Sequence, residues 1–263
     1  MSKIEYLPEE IEIDFNKDHT SIWLLVGLVG AGKTTFAQKL WSISPKRTIR
    51  SSLDEIIQMM SFYDYEPKMS SFYSGVERTS IIDGLINGYK VIVDRTNITR
   101  KVRSRFISLI VKIKKISEEY LHLYDTLEED VFIERCEKNL IKSILLEEGR
   151  NIDIYSSFLK LIRDWETKRK EPELFPQESS FIRKSLEDIT EMEIISVYFD
   201  IPLKICIRRR MDDPLNILRD KVQEIDWGAV IRKMQGQLQP PDINEGFNRI
   251  YIIDHTGKVR SKI

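Results

Sequence analysis

The chain has 263 residues and 31.0 kDa, with 41 Lys and Arg against 42 Asp and Glu and a formal net charge of −1. That is enough for one large domain or a domain with a small companion, and the 41% hydrophobic content is that of a globular chain, not a disordered one. The longest apolar run, Ile22–Ala31, is about half a membrane span, and the N-terminus is acidic, so neither a membrane-spanning helix nor a signal peptide is expected. Two isolated cysteines, Cys136 and Cys206, exclude a disulfide framework, three scattered histidines argue against zinc, and the expected setting is cytoplasmic.

Residues 1–20 are polar and read as a lead-in arm. Ser21–Val26 is a continuous apolar run, the pattern of a strand buried on both faces of a parallel sheet. A glycine loop, Gly27–Gly32, separates it from helical spacing over Lys33–Trp41. Arg47–Ser51 is a short strand, and Asp54 opens a helix with Leu53, Ile56, Ile57 and Met60 as its apolar positions. Val76–Asn87 is helical and stops at Gly88. Lys90–Val93 is another buried strand, ending in Asp94. Ile98–Ile116 is an amphipathic helix.

Residues 117–190 carry helical stripes from Leu127 to Leu145 and from Ile154 to Trp165, then a Pro-containing linker, and read as a helical insertion. Glu119–Tyr124 also fits a core strand. Beyond it come a strand at Ile194–Phe199, a helix at Pro202–Arg210, a charged turn at Asp212–Pro214 and a helix near Trp227–Met234. A loop at Pro240–Gly246 leads to a terminal strand, Arg249–Ile253. Alternating strands and helices of this kind build a parallel α/β sheet.

Gly27-Leu-Val-Gly-Ala-Gly32-Lys33-Thr34 fits the phosphate-loop pattern and stands between a strand and a helix. Glycines let successive backbone N–H groups curl round phosphate oxygens, and the following helix turns its positive end to the same anion. Gly27, Gly30, Ala31, Gly32, Lys33, Thr34 and Thr35 are therefore the expected nucleotide-binding residues, Lys33 reaching the phosphates and Thr34 ligating Mg²⁺. The implied cofactors are ATP, or another nucleoside triphosphate, and Mg²⁺. The fold class follows: a P-loop NTPase-type parallel sheet flanked by helices, with residues 1–111 and 191–263 as core and 112–190 as the insertion.

Asp94 and Asp54 both follow strands, at the edge where ligands gather in open parallel sheets. Asp94 either holds Mg²⁺ through water or braces the loop. Asp54 is either a general base for an attacking alcohol or a helix N-cap. From Arg95 to Ile116 there are eight Lys and Arg and no acid, a local basic face suited to phosphate backbones.

Together the segments GLVGAGKTT, RSSLDEI, VIVDRTNITRKVRSRF, YFDIPLKICIRRR and PPDINEGFNRI resemble the polynucleotide 5′-kinases of nucleic-acid repair over about residues 20–111 and 191–255. The resemblance implies that Lys33 and Thr34 bind ATP and Mg²⁺ and that Asp54 accepts the proton of a 5′-hydroxyl. It implies that Asp94, Thr96 and Asn97 line the junction of acceptor and loop, that Arg103 contacts acceptor phosphate, and that Arg209 with Arg208 or Arg210 forms an arginine lid; Arg95, Arg100 or the insertion are the further candidates for gripping the acceptor. The partner so implied is a 5′-hydroxyl polynucleotide, RNA or DNA. Two positions depart from the family pattern: Ile57 replaces an acceptor-clamping arginine, and Met211-Asp212-Asp213 interrupts the lid. An aminoacyl-tRNA or small-molecule hydroxyl is the alternative acceptor, and the insertion leaves a homo-oligomer contact open.

Overall fold

A computed structural model describes residues 7–62, 64–146, 151–170, 181–213 and 225–263. Its centre is a six-stranded sheet made of β1 (Ser21–Val26), β2 (Thr48–Ser51), β3 (Lys90–Val93), β4 (Glu193–Phe199), β5 (Arg249–Ile253) and β6 (Val259–Lys262). The order is β2-β3-β1-β4-β5-β6, parallel except for β6, which returns antiparallel to β5.

The period-2 alternation of a strand explains why β1 is apolar from Ile22 to Val26. Ile22 and Leu24 enter one buried cluster and Trp23 and Leu25 the other, so both faces of the sheet are covered. The first face is packed by α4 (Ser70–Ile86), α5 (Arg100–Thr126), α6 (Glu129–Leu146), α7 (Ile152–Arg169) and α8 (Phe181–Glu191). The second is packed by α1 (Glu9–Asn16), α2 (Lys33–Ile43), α9 (Leu203–Met211) and α10 (Trp227–Gln237). A further helix, α3 (Leu53–Ser61), buries none of its residues.

From β1 the chain passes through α2 towards β2, and from neighbouring β4 it passes through α9 towards β5. The connections leave in opposite directions on the same face, which opens a crevice at the carboxyl ends of β1 and β4.

Several expectations change. The lead-in arm contains α1, whose Ile11 and Phe15 are fully buried against the sheet, so apolar contact makes it part of the core. The segment Glu119–Tyr124 is not a strand: α5 runs unbroken from Arg100 to Thr126 with Tyr120 buried on its inner face. Arg249–Ile253 is not terminal, because the Asp254–Gly257 turn brings back β6. In the first stripe of the insertion only Phe132 and Cys136 are in the core, while Val131, Ile141, Ile144 and Leu145 are exposed. The boundary drawn at residue 111 falls inside α5, and Phe158 and Trp165 share one cluster with Ile22 and Ile194. Pro214 of the charged turn, the linker at 171–180 and Gly149 lie outside the described residues.

Candidate active site

The glycine loop occupies the crevice. Gly30 has φ +80°, and a Cβ added there would stand 2.2 Å from the Cys206 carbonyl oxygen of α9, so only glycine fits. Gly32, at φ +98°, is the N-cap of α2 and aims the first turn of that helix into the loop. Lys33 is buried and donates from Nζ to the Leu28 carbonyl at 2.7 Å. Burial pulls its pKa down to about 8, against the attraction of the Asp94 and Asp54 carboxylates. Cys206 is itself buried, which pushes its thiol up to about 11 and keeps it protonated at neutral pH. Thr34 and Thr35 are exposed at the mouth.

Asp94 closes β3 and is buried, its backbone N–H bonded to the Ser51 carbonyl at 2.8 Å. Its Oδ1 accepts from the Thr34 hydroxyl at 3.3 Å. Its Oδ2 accepts from Arg50 Nε at 3.1 Å and Nη2 at 2.7 Å, while Arg50 Nη1 bridges both oxygens of Glu55 at 2.8 Å. Arg50 thus ties the end of β3 to the first turn of α3, where Asp54 is exposed beside Glu55.

The rest of the Asp94 segment divides between site and scaffold. Arg95 is half-buried and donates from Nη1 to Glu77 Oε2 at 2.7 Å. Burial raises the pKa of Glu77; Arg95 opposes this and the charge of Asp54 adds to it. The Thr96 carbonyl accepts the Gly27 N–H at 2.9 Å, joining this segment to the phosphate loop. Asn97 is buried at φ +45° and donates to the Leu25 carbonyl at 2.9 Å, so it braces β1 rather than lining an acceptor surface.

Arg103 is corrected in the same way. It is fully buried, bidentate to Glu245 at 2.8 and 2.6 Å, and bonded to the carbonyls of Asn97 and Gln239 at 3.0 and 2.9 Å. With its guanidinium so engaged, it has no donor to offer an acceptor phosphate. Of the three arginines ending α9, Arg208 is exposed and Arg209 reaches the phosphate loop, donating to the Ala31 carbonyl at 3.4 Å. Arg210 is buried with its guanidinium 3.8 Å from the centre of the Trp227 ring.

Arg50, Glu55 and Glu77 escaped the sequence reading. A charged residue in the short strand Thr48–Ser51 was the signal for Arg50; nothing local marked the other two.

A nucleotide fits this arrangement. The cradle at Gly30 admits no side chain, and a buried lysine cation points into the loop. The Thr34 hydroxyl and the Asp94 carboxylate are hard oxygen donors of the kind Mg²⁺ takes together with water and phosphate. Among the described residues no group of three His, Cys, Asp or Glu could hold a metal without such help.

Fold and site together define a P-loop nucleotide-binding domain of the parallel α/β class. Residues 22–123 match a protein-family model described as an AAA domain. No curated protein matches the chain. Among solved structures it is similar to one from the PezAT chromosomal toxin–antitoxin system of Streptococcus pneumoniae, with TM-score 0.41 and 10% identity over 94% of this chain and 72% of the other. It is also similar to one from the Pnkp1/Rnl/Hen1 RNA repair complex, with TM-score 0.32 and 13% identity over 91% and 97% of the two chains.

Proposed function

We propose that the protein is an ATP-dependent polynucleotide 5′-hydroxyl kinase, passing the γ-phosphate of a nucleoside triphosphate to the 5′ end of RNA or DNA. The observation that carries this reading is a chain of contacts from the donor side to the acceptor side: Thr34 donates to Asp94, Asp94 accepts from Arg50, and Arg50 holds Glu55 beside Asp54 in the first turn of α3. It supports a carboxylate on the acceptor side of the crevice that holds Lys33. Asp54 accepts the proton of the attacking hydroxyl, worth roughly 10²–10⁴-fold. Lys33 and the N–H groups of the loop hold the phosphates, and Thr34 with Asp94 would hold Mg²⁺, which would supply charge neutralisation for the transferring group. Arg209, which donates to the Ala31 carbonyl, is the lid cation from α9 in this reading. Arg95, held by Glu77, is the acceptor-side cation.

Incubation of labelled ATP with 5′-hydroxyl oligonucleotides tests the activity. Asp54→Ala is expected to lose at least a hundredfold in transfer with nucleotide affinity retained, and Lys33→Ala to lose both. Full transfer by Asp54→Ala would remove the base assignment. A smaller alcohol is the second reading, favoured by one observation: Ile57 carries no charge and Arg103 is unavailable, which leaves the acceptor side short of cations. A neutral acceptor would show a KM insensitive to salt.

A further inference from the structure

The outer face of α5 carries a feature that the phosphate-transfer site does not use. Lys101, Arg105, Ser108, Lys112 and Lys115 are spaced i, i+4, i+7, i+11 and i+14 and are all exposed. On a helix of 3.6 residues per turn this spacing gives one straight stripe, about 21 Å long at 1.5 Å per residue. It lies opposite the buried face of Phe106, Ile110 and Ile113.

On neighbouring helices four cations are neutralised locally, Lys138 by Glu134, Lys168 by Asp164, Lys170 by Glu166 and Arg183 by Glu187, each at i,i+4. On α5 the first acid is Glu118. Among the described residues Lys101, Arg105 and Lys115 have no ion-pair partner, and Lys112 donates only to the Asn151 side-chain oxygen at 3.3 Å. Lys101 and Arg105 repel at i,i+4, as Lys112 and Lys115 do at i,i+3. An external polyanion relieves that repulsion. Its near end is at the catalytic edge, since Lys101 follows the Thr99 N-cap and the Asp94–Asn97 segment directly.

We infer that this stripe is a track for the sugar–phosphate backbone of a single-stranded nucleic acid whose 5′ end occupies the acceptor side of the crevice. The inference rests on the polynucleotide reading above for its ligand. A row one cation wide matches a single strand, and Ser108 adds a hydroxyl donor for phosphate. No aromatic or amide side chain stands in the row to read a base, so binding along it is independent of sequence.

The test is the salt dependence of binding, by fluorescence anisotropy, of a labelled 5′-hydroxyl single strand of about 20 nucleotides. The wild type is compared with K101Q/R105Q/K112Q/K115Q. At about 0.7 per phosphate neutralised, the variant's log–log slope should be shallower by about 3, so its loss between 50 and 200 mM salt should be roughly 50-fold smaller. Its KM for that strand should rise while its KM for a dinucleotide acceptor stays as in the wild type. The charge-preserving variant K101R/R105K/K112R/K115R should keep the wild-type slope. If the quadruple glutamine variant loses helical content, K101Q and K115Q singly should each lower the slope by about 0.7. An unchanged slope in folded variants overturns the inference. Phosphorylation with an unchanged slope would overturn the track and leave the proposed activity. A stripe-dependent slope without phosphorylation of any oligonucleotide would do the reverse.

Discussion

Lys33 is a buried ammonium whose nearest bonded partner is a carbonyl, and that fact governs how the empty loop responds to pH. Its pKa is lowered by burial to about 8, so the unfolded chain binds the extra proton between about pH 8 and the free-lysine value. Where the unfolded state holds more protons, stability rises with pH. Lys33 is therefore expected to add stability from about pH 8 up to about 10.5, a contribution read as wild type minus Lys33→Met because the raised thiols of Cys206 and Cys136 act in the opposite direction over part of that range. Chemical denaturation across this range checks it, and equal slopes in the two proteins would refute it. Triphosphate affinity should run the other way, weakening above about pH 8 as the lysine loses its charge.

Arg103 and Glu245 are the second residue-scale case. Removing one member of a buried pair strands the other, so Arg103→Met should cost about 3–5 kcal/mol. Arg103→Met with Glu245→Leu should recover much of that in a double-mutant cycle followed by thermal unfolding. Recovery would identify the arginine as a strut of the Pro240–Gly246 loop, with no part in substrate contact.

At the scale of elements, α1 is held to the sheet edge by two means. Ile11 and Phe15 bury apolar surface, and Asp14 receives Lys17 at 2.6 Å, Lys262 at 3.1 Å, Arg249 at 3.2 Å and the Tyr251 hydroxyl. Burial alone would raise the Asp14 pKa, but these four donors hold it far below the usual carboxylate range. A depressed carboxylate stabilises above its unfolded pKa and loses that effect as pH falls through the folded one. Asp14→Ala should therefore cost about 3 kcal/mol at neutral pH, a difference from wild type that shrinks progressively below about pH 4. Hydrogen exchange should show α1 opening first. The N-terminal stretch hid this helix, because Ile11, Ile13 and Phe15 alternate with acidic residues as in a strand, while of these only Ile11 and Phe15 are buried.

The strands were readable for the opposite reason. A segment buried on both faces is apolar at nearly every position, and in Ser21–Val26 and Lys90–Val93 only the first residue, Ser21 or Lys90, is polar. Helix α5 was readable in type and not in length, since beyond Ile116 its outer face turns acidic while Tyr120 continues the inner one.

For the whole molecule, the shared cluster decides how the chain unfolds. Phe158 of α7 and Tyr120 of α5 are in edge contact at 5.3 Å, and both belong to the cluster that covers Ile22 and Leu24 of β1. Phe158→Ala should cost about 3–5 kcal/mol and lower the midpoint of one transition seen alike by far-ultraviolet dichroism and tryptophan fluorescence, with Trp23 and Trp165 in different clusters. Two separated transitions would show that α6–α8 unfold on their own. No helix among the described residues is long and apolar enough to cross a membrane.

By itself the sequence determined the phosphate loop, the strand before it, the helix after it and the parallel α/β class, because glycine freedom, apolar runs and helical period act between residues a few positions apart. Only the tertiary structure decided which arginines are available. Arg50 meets Asp94 across 44 residues, Arg103 meets Glu245 across 142 and Arg209 meets Ala31 across 178. A guanidinium looks the same in a sequence whether it faces solvent, a buried carboxylate or a ring. What separates those fates is the chain brought against it by folding, and no local pattern records that distance.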